Sequence, residues 1–188
     1  MNLPNKLTIL RIFMIPIFVL FFYLTAVPYN FIISAVIFAL ASFTDFLDGY
    51  IARKYNLVSD FGKFLDPIAD KVLVSTALII MLVPPVGYEI LPWYSSILVA
   101  LILARELIIS GFRLVASNKG IVISADKSGK LKTFFTDIAI LFILATANFA
   151  VKALYVTGTV LLIVSTVLTV YSGIECILKN KDVLKEGK

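Results

Sequence analysis

Residues 45–70 read DFLDGYIARKYNLVSDFGKFLDPIAD, and five of the chain's 12 acidic residues stand in that stretch; four of them, Asp45, Asp48, Asp66 and Asp70, fall into two closely spaced pairs. Asp45 and Asp48 are spaced i, i+3 and Asp66 and Asp70 i, i+4, so on helices each pair shares one face. Two antiparallel neighbouring helices bring the pairs together. Four carboxylates in a small space repel one another, and bound divalent cations relieve that repulsion. The chain has no histidine and a single cysteine, Cys176. That excludes imidazole acid–base chemistry, His-ligated zinc, a soft-metal cluster and an internal disulfide. The metal that suits such ligands is hard and oxygen-bound: magnesium, manganese or calcium. Two such ions about 3.5–4 Å apart are a standard way to hold both ends of a phosphoryl displacement. Gly49 and Gly62 remove side chains where a backbone or ligand comes close, and Arg53 is placed to bind a phosphate or to neutralise the carboxylates.

The elements that position these residues are apolar. Of 188 residues 60% are hydrophobic and 15% charged, with a mean hydropathy of +0.99, far from the about 45–50% and about 25% of soluble domains. A bilayer-crossing helix needs about 20 residues. Charge-free runs and breaks predict six spans over about 7–27, 31–50, 66–83, 93–115, 133–151 and 154–178. The third carries Asp66, Asp70 and Lys71 at its entrance, because its charge-free part, 72–83, is too short to cross alone. Residues 116–132 read as a basic loop. The first helix is expected to be retained rather than cleaved, since no small-residue cleavage site follows it. With the N-terminus inside, every basic residue except Lys152 falls on the cytoplasmic side, as the positive-inside rule requires. The expected fold is therefore all-α and integral to the membrane: six transmembrane helices in one domain, residues 1–188, with both termini cytoplasmic. The net charge of +5 then reflects cytoplasmic helix ends and anionic membrane lipids, not nucleic acid.

Each span carries an ionisable residue near its cytoplasmic end: Arg11; Asp45 and Asp48; Asp66 and Asp70; Arg105 and Glu106; Asp137; Glu175. Intramembrane charges are expensive unless they face water or a partner. The cheapest arrangement turns most of them toward one polar cavity open to the cytoplasm. Snorkelling or simple pairing stands as an equal reading for Arg11, Asp137 and Glu175 taken singly. Trp93 and Tyr94 read as an interfacial aromatic belt.

The aspartate stretch resembles the signature of the CDP-alcohol phosphatidyltransferases, D-x2-D-G-x2-A-R-x8-G-x3-D-x3-D. All eight fixed positions are matched with every spacing intact: Asp45, Asp48, Gly49, Ala52, Arg53, Gly62, Asp66 and Asp70. The resemblance implies six transmembrane helices, a homodimer and a divalent-metal site, of Mg2+ or Mn2+ in two ions, at the cytoplasmic face of a bacterial membrane. It implies transfer of a phosphatidyl group from CDP-diacylglycerol to an alcohol, with release of CMP. In its light Asp45, Asp48 and Asp66 are metal ligands, and Asp70 is the base for the attacking hydroxyl, also touching a metal. Gly49, Ala52, Arg53 and Gly62 shape the nucleotide pocket.

Residues 2–11 and 104–133 are similar to members of this family that use sn-glycerol 3-phosphate. That acceptor is a small dianion and suits a basic pocket. Arg105 and Arg113 are eight apart, about 80° around a helix, so both can lean toward one cavity. Lys127, Lys130 and Lys132 follow in the adjacent loop. Arg105, Arg113 and Lys130 are the expected acceptor-phosphate ligands, whereas Lys119 and Lys132 read as ordinary positive-inside charges. Asn5, Thr8 and Arg11 share a helical face, with two readings: contact with the CDP-lipid, or a capping and interface cluster. Glu106 is placed to orient an arginine, and a basic residue that the sequence does not identify is the expected partner of Asp137. Two rival functions remain open. One keeps the reaction but uses inositol phosphate, serine or phosphatidylglycerol as acceptor. The other is a divalent-cation transporter, against which the one-sided carboxylates count.

Overall fold

The computed structural model describes residues 3–54, 60–121, 123, 127–149 and 151–184. It consists of six long helices, α1 (Leu3–Tyr23), α2 (Asn30–Lys54), α3 (Asp60–Leu82), α4 (Ser95–Asn118), α5 (Lys127–Phe149) and α6 (Lys152–Lys179), followed by a short 3₁₀ turn over Lys181–Leu184. No strand occurs among the described residues. Asn5–Tyr23, Leu131–Phe149 and Lys152–Lys179 are each long and apolar enough to cross a membrane, and Asn30–Asp45 is a shorter apolar helical stretch.

The helix count matches the sequence expectation, but two boundaries differ. α3 begins at Asp60, six residues before the expected start at Asp66, so Gly62 lies on a helix and not in a loop. α5 begins at Lys127, so Lys127, Lys130 and Lys132 are helical where a basic loop was expected. In both places charge was mistaken for the end of a helix. Charge ends only the apolar part, and backbone hydrogen bonding continues through it.

α4 stops for a different reason. Gly120 takes φ +72°, a conformation that favours glycine. Its N–H donates to the Ser117 carbonyl and that of Ile121 to the Ala116 carbonyl, both at 2.9 Å. This is a Schellman ending, which satisfies the last carbonyls and turns the chain back.

α1 packs chiefly on α2, and α5 on α6, while α3 lies against α1 and α4 against α6. One end of this bundle is dry. Phe18, Phe22, Phe31, Phe38, Met81, Ile143 and Leu144 are fully buried there, with Phe22 and Phe31 edge to face at 5.3 Å. Close approach of α5 and α6 depends on Gly158: a Cβ there would stand 2.7 Å from Ile143 Cγ1 and 3.1 Å from its backbone nitrogen. Small residues at such contacts let helices exploit packing where lipid offers no hydrophobic driving force. The hydroxyls of Thr159, Thr166 and Thr169 on α6 donate to carbonyls one turn back, at 2.6–2.9 Å, so these three protons are satisfied within the helix.

Candidate active site

The other end of the bundle collects the charges. On α1, Asn5, Thr8 and Arg11 are all buried, which their three-residue spacing requires if one face meets the bundle. Thr8 Oγ1 donates to Asp66 Oδ1 of α3 at 2.6 Å. Arg11 Nη1 lies 2.8 Å from Asp45 Oδ1 of α2, and its Nε donates to the Ala41 carbonyl at 3.2 Å. Arg11 is fully buried, whereas the Asp45 side chain is 40% exposed. The cation is thus the inner member of the pair, and the carboxylate looks outward. Through Thr8 and Arg11, α1 ties the two aspartate-bearing helices to each other. Asp45 lies within electrostatic reach of both Asp66 and Asp70, as the paired spacings required. Pro67, inside α3, removes one backbone donor between Asp66 and Asp70.

A cavity of about 250 Å³ opens beside this cluster. Asp70, Lys71, Arg105, Glu106, Arg113 and Lys132 line it, from α3, α4 and α5. A smaller recess, about 40 Å³, continues inward from Asp70, Lys71, Glu106 and Lys132 to Ser75, Thr136 and Thr169. Asp70 therefore faces the acidic cluster on one side and a basic chamber on the other. Glu106 organises that chamber. It forms an ion pair with Lys132 and receives Arg105 Nη1 at 3.3 Å. Its backbone carbonyl accepts from Ser110, whose hydroxyl in turn accepts from Lys71.

Most of the expected site residues are brought together at this end. Asp45, Asp66, Thr8 and Arg11 form one connected group, with Asn5 buried on the same helix face. Asp70, Arg105 and Arg113 share the cavity. Gly49 and Gly62 lie on the facing ends of α2 and α3, Gly62 buried. The side chains of Asp48, Ala52, Arg53 and Lys130 lie outside the described residues.

Two expectations need correction. Lys132 is not an ordinary surface charge: it is buried, pairs with Glu106 and lines the cavity. Lys119 does keep away from the cavity, donating to the Val183 carbonyl at 2.8 Å. Asp137, expected to pair with a base, instead accepts from Ser42 of α2 at 2.9 Å, and among the described residues its buried Oδ1 has no hydrogen-bond partner. Sequence reasoning also passed over Lys71 as a wall of the cavity. Its position next to Asp70 was the available signal.

The donor chemistry can be tested against a divalent ion. At the aspartate cluster the described donors are carboxylate and hydroxyl oxygens, which is the ligand type of a hard cation. Asp66 already receives a supporting bond from Thr8, the kind of outer contact that orients a metal-binding carboxylate. Among the described residues, no three acidic side chains stand close enough to hold an ion together. The described carboxylates fit such an ion by donor type.

A membrane-helical bundle with clustered aspartates beside a basic chamber belongs to a definite class. The CDP-alcohol phosphatidyltransferase profile matches residues 1–171, and the chain belongs to that family. Within it, the chain is 39% identical to the CDP-diacylglycerol–glycerol-3-phosphate 3-phosphatidyltransferase of Bacillus subtilis (strain 168), over 98% of this chain and 97% of that protein. It is 42% identical to the protein of the same name from Rickettsia bellii (strain RML369-C), over 92% and 91% of the two chains. A Shigella flexneri serotype 5b protein of that name is 38% identical, over 93% and 92%.

Proposed function

We propose that this protein transfers the phosphatidyl group of CDP-diacylglycerol to sn-glycerol 3-phosphate, yielding phosphatidylglycerophosphate and CMP. The observation that carries the reading is the position of Asp70, on the wall between a carboxylate cluster and a chamber lined by Arg105, Arg113, Lys71 and Lys132. A dianionic acceptor held by those cations would present its hydroxyl to Asp70. Family membership supplies the donor, and the names of the relatives agree on the acceptor.

In this reading Asp70 takes the proton from the acceptor hydroxyl. The acceptor oxygen bonds to the phosphorus bearing diacylglycerol, and that phosphorus parts from the bridging oxygen, which leaves with CMP. Arg105 and Arg113, with Lys130 and Lys132, hold the acceptor phosphate and orient the hydroxyl. Asn5, Thr8, Gly49, Ala52, Arg53 and Gly62 form the side that receives the CDP head group, while the acyl chains stay in the bilayer. Asp45, Asp48, Asp66 and Asp70 would hold Mg2+ or Mn2+, two ions in all, which supply charge neutralisation for the pyrophosphate and the departing CMP. All six helices span the bacterial cytoplasmic membrane as one domain. Both termini and the cavity face the cytoplasm, where the basic residues gather, and the protein works as a homodimer.

The four cations of the chamber favour a phosphorylated acceptor over serine. The deciding assay uses purified protein in vesicles with Mg2+ and CDP-diacylglycerol, and follows CMP release. Release is expected only when metal and glycerol 3-phosphate are both present. Release with inositol phosphate instead would replace the acceptor. Divalent-ion flux without CMP release would replace the enzyme with a transporter.

A further inference from the structure

We infer that Ser172 and Gly173 of α6 form a seat that aims Arg105 into the cavity, making them positioning residues for the acceptor phosphate. This rests on the acceptor role given to Arg105 above.

Arg105 emerges from α4, which runs beside α6. Its stem lies flat on Gly173: a Cβ there would stand 2.9 Å from Arg105 Cγ and 3.1 Å from Nε. Neither atom can retreat cheaply, because both belong to the part of the side chain that sets where the guanidinium points. At the far end Nη2 donates to Ser172 Oγ at 2.9 Å, and Nη1 reaches Glu106.

The chemistry of Ser172 makes this contact directional. A serine hydroxyl has one proton and two lone pairs. That proton is committed to the Thr169 carbonyl, at 3.1 Å, so toward Arg105 the oxygen can only accept. Ser172 is itself buried, 3% exposed, so water is a poor substitute. Arg105 is therefore fixed by contact along its stem and by acceptors at two of its nitrogens. An arginine held in this way loses little rotamer freedom when an anion arrives. The stem also separates two spaces. On one side is the polar cavity; on the other is an apolar groove of about 200 Å³ between α4 and α6, lined by Leu101, Ile108, Val170 and Ile174. Without the seat, the same arginine could swing toward the groove mouth and leave the phosphate site.

The test compares Gly173→Ala, Ser172→Ala and Ser172→Thr in vesicles, with steady-state kinetics for both substrates and calorimetric binding of glycerol 3-phosphate. Gly173→Ala displaces the whole Arg105 stem, and with it the guanidinium, so about a tenfold rise in acceptor KM and Kd is expected. Ser172→Ala should give a smaller rise, about fivefold, and Ser172→Thr should recover most of it. The KM for CDP-diacylglycerol should stay within about twofold throughout. In an Arg105→Ala background, Gly173→Ala should add nothing, since its effect passes through Arg105. Additive effects in that background, or equal rises in both KM values, would overturn the seat while leaving the acceptor site in place. An Arg105→Ala protein with unchanged acceptor KM would overturn the acceptor role itself. Should Gly173→Ala fail to fold, Ser172→Ala with its threonine rescue carries the same comparison.

Discussion

The two glycines of α6 do opposite work. Gly158 sits at the dry end, where its missing side chain lets α6 approach the Ile143 backbone of α5. Gly173 sits at the charged end, where its missing side chain makes room for Arg105. One absence brings two helices together; the other admits a charged side chain between them. The difference follows the bundle as a whole. At the dry end, aromatic and aliphatic side chains interlock and every replacement is felt as packing. At the charged end, side chains are held by named polar partners, Thr8 with Asp66, Arg11 with Asp45, Glu106 with Lys132, and replacements should be felt as altered binding or rate with little loss of fold.

That contrast can be broken in three places. The largest effect is expected from Asp70→Asn, which keeps shape but removes the base. Turnover should fall by about 10²–10⁴-fold, the usual range for general-base loss, with CDP-diacylglycerol binding largely retained in a sedimentation or calorimetric assay. Wild-type turnover would remove Asp70 from that role. Next is Gly158→Val at the dry end. Overpacking typically destabilises by about 1–3 kcal/mol, so the melting temperature in detergent should fall while both KM values hold. A selective rise in acceptor KM would show the two ends to be coupled. Smallest is Thr8→Val, which deletes the bond to Asp66 without changing volume much. The Mg2+ concentration for half-maximal activity should rise by about tenfold, as for other outer partners of metal ligands. An unchanged requirement would leave Thr8 with a nucleotide or packing role only.

The same contrast explains what could be read from the chain before its structure. The four aspartates were legible because i, i+3 and i, i+4 spacings state a helix face without further information. The number of helices was legible because apolar run length is a one-dimensional property. Lys132 was misread for a physical reason: cytoplasmic helix ends gather lysines whatever their role, so a buried one and a solvated one look alike in a sequence. Ser172 and Gly173 were invisible for another. Small residues on an apolar helix are the common means of close packing, and only the adjacency of α4 to α6, a tertiary fact, reveals what the gap admits. The Asp137 pairing failed likewise, because its neighbour proved to be Ser42 on α2.

The pair formed by Arg11 and Asp45 has a consequence for how the chain enters its membrane. α1 and α2 are consecutive in the chain and pack chiefly on each other. Inserted singly, a helix is penalised by up to about 2.5–3.5 kcal/mol on translocon scales for a charge at its centre, and by less for one toward its end. Inserted as a hairpin, these two helices deliver opposite charges 2.8 Å apart, so the penalty on each is offset before any later helix, substrate or ion exists. The charged end of the bundle thus carries, within two consecutive helices, a self-neutralised pair that needs no other element to offset its charge.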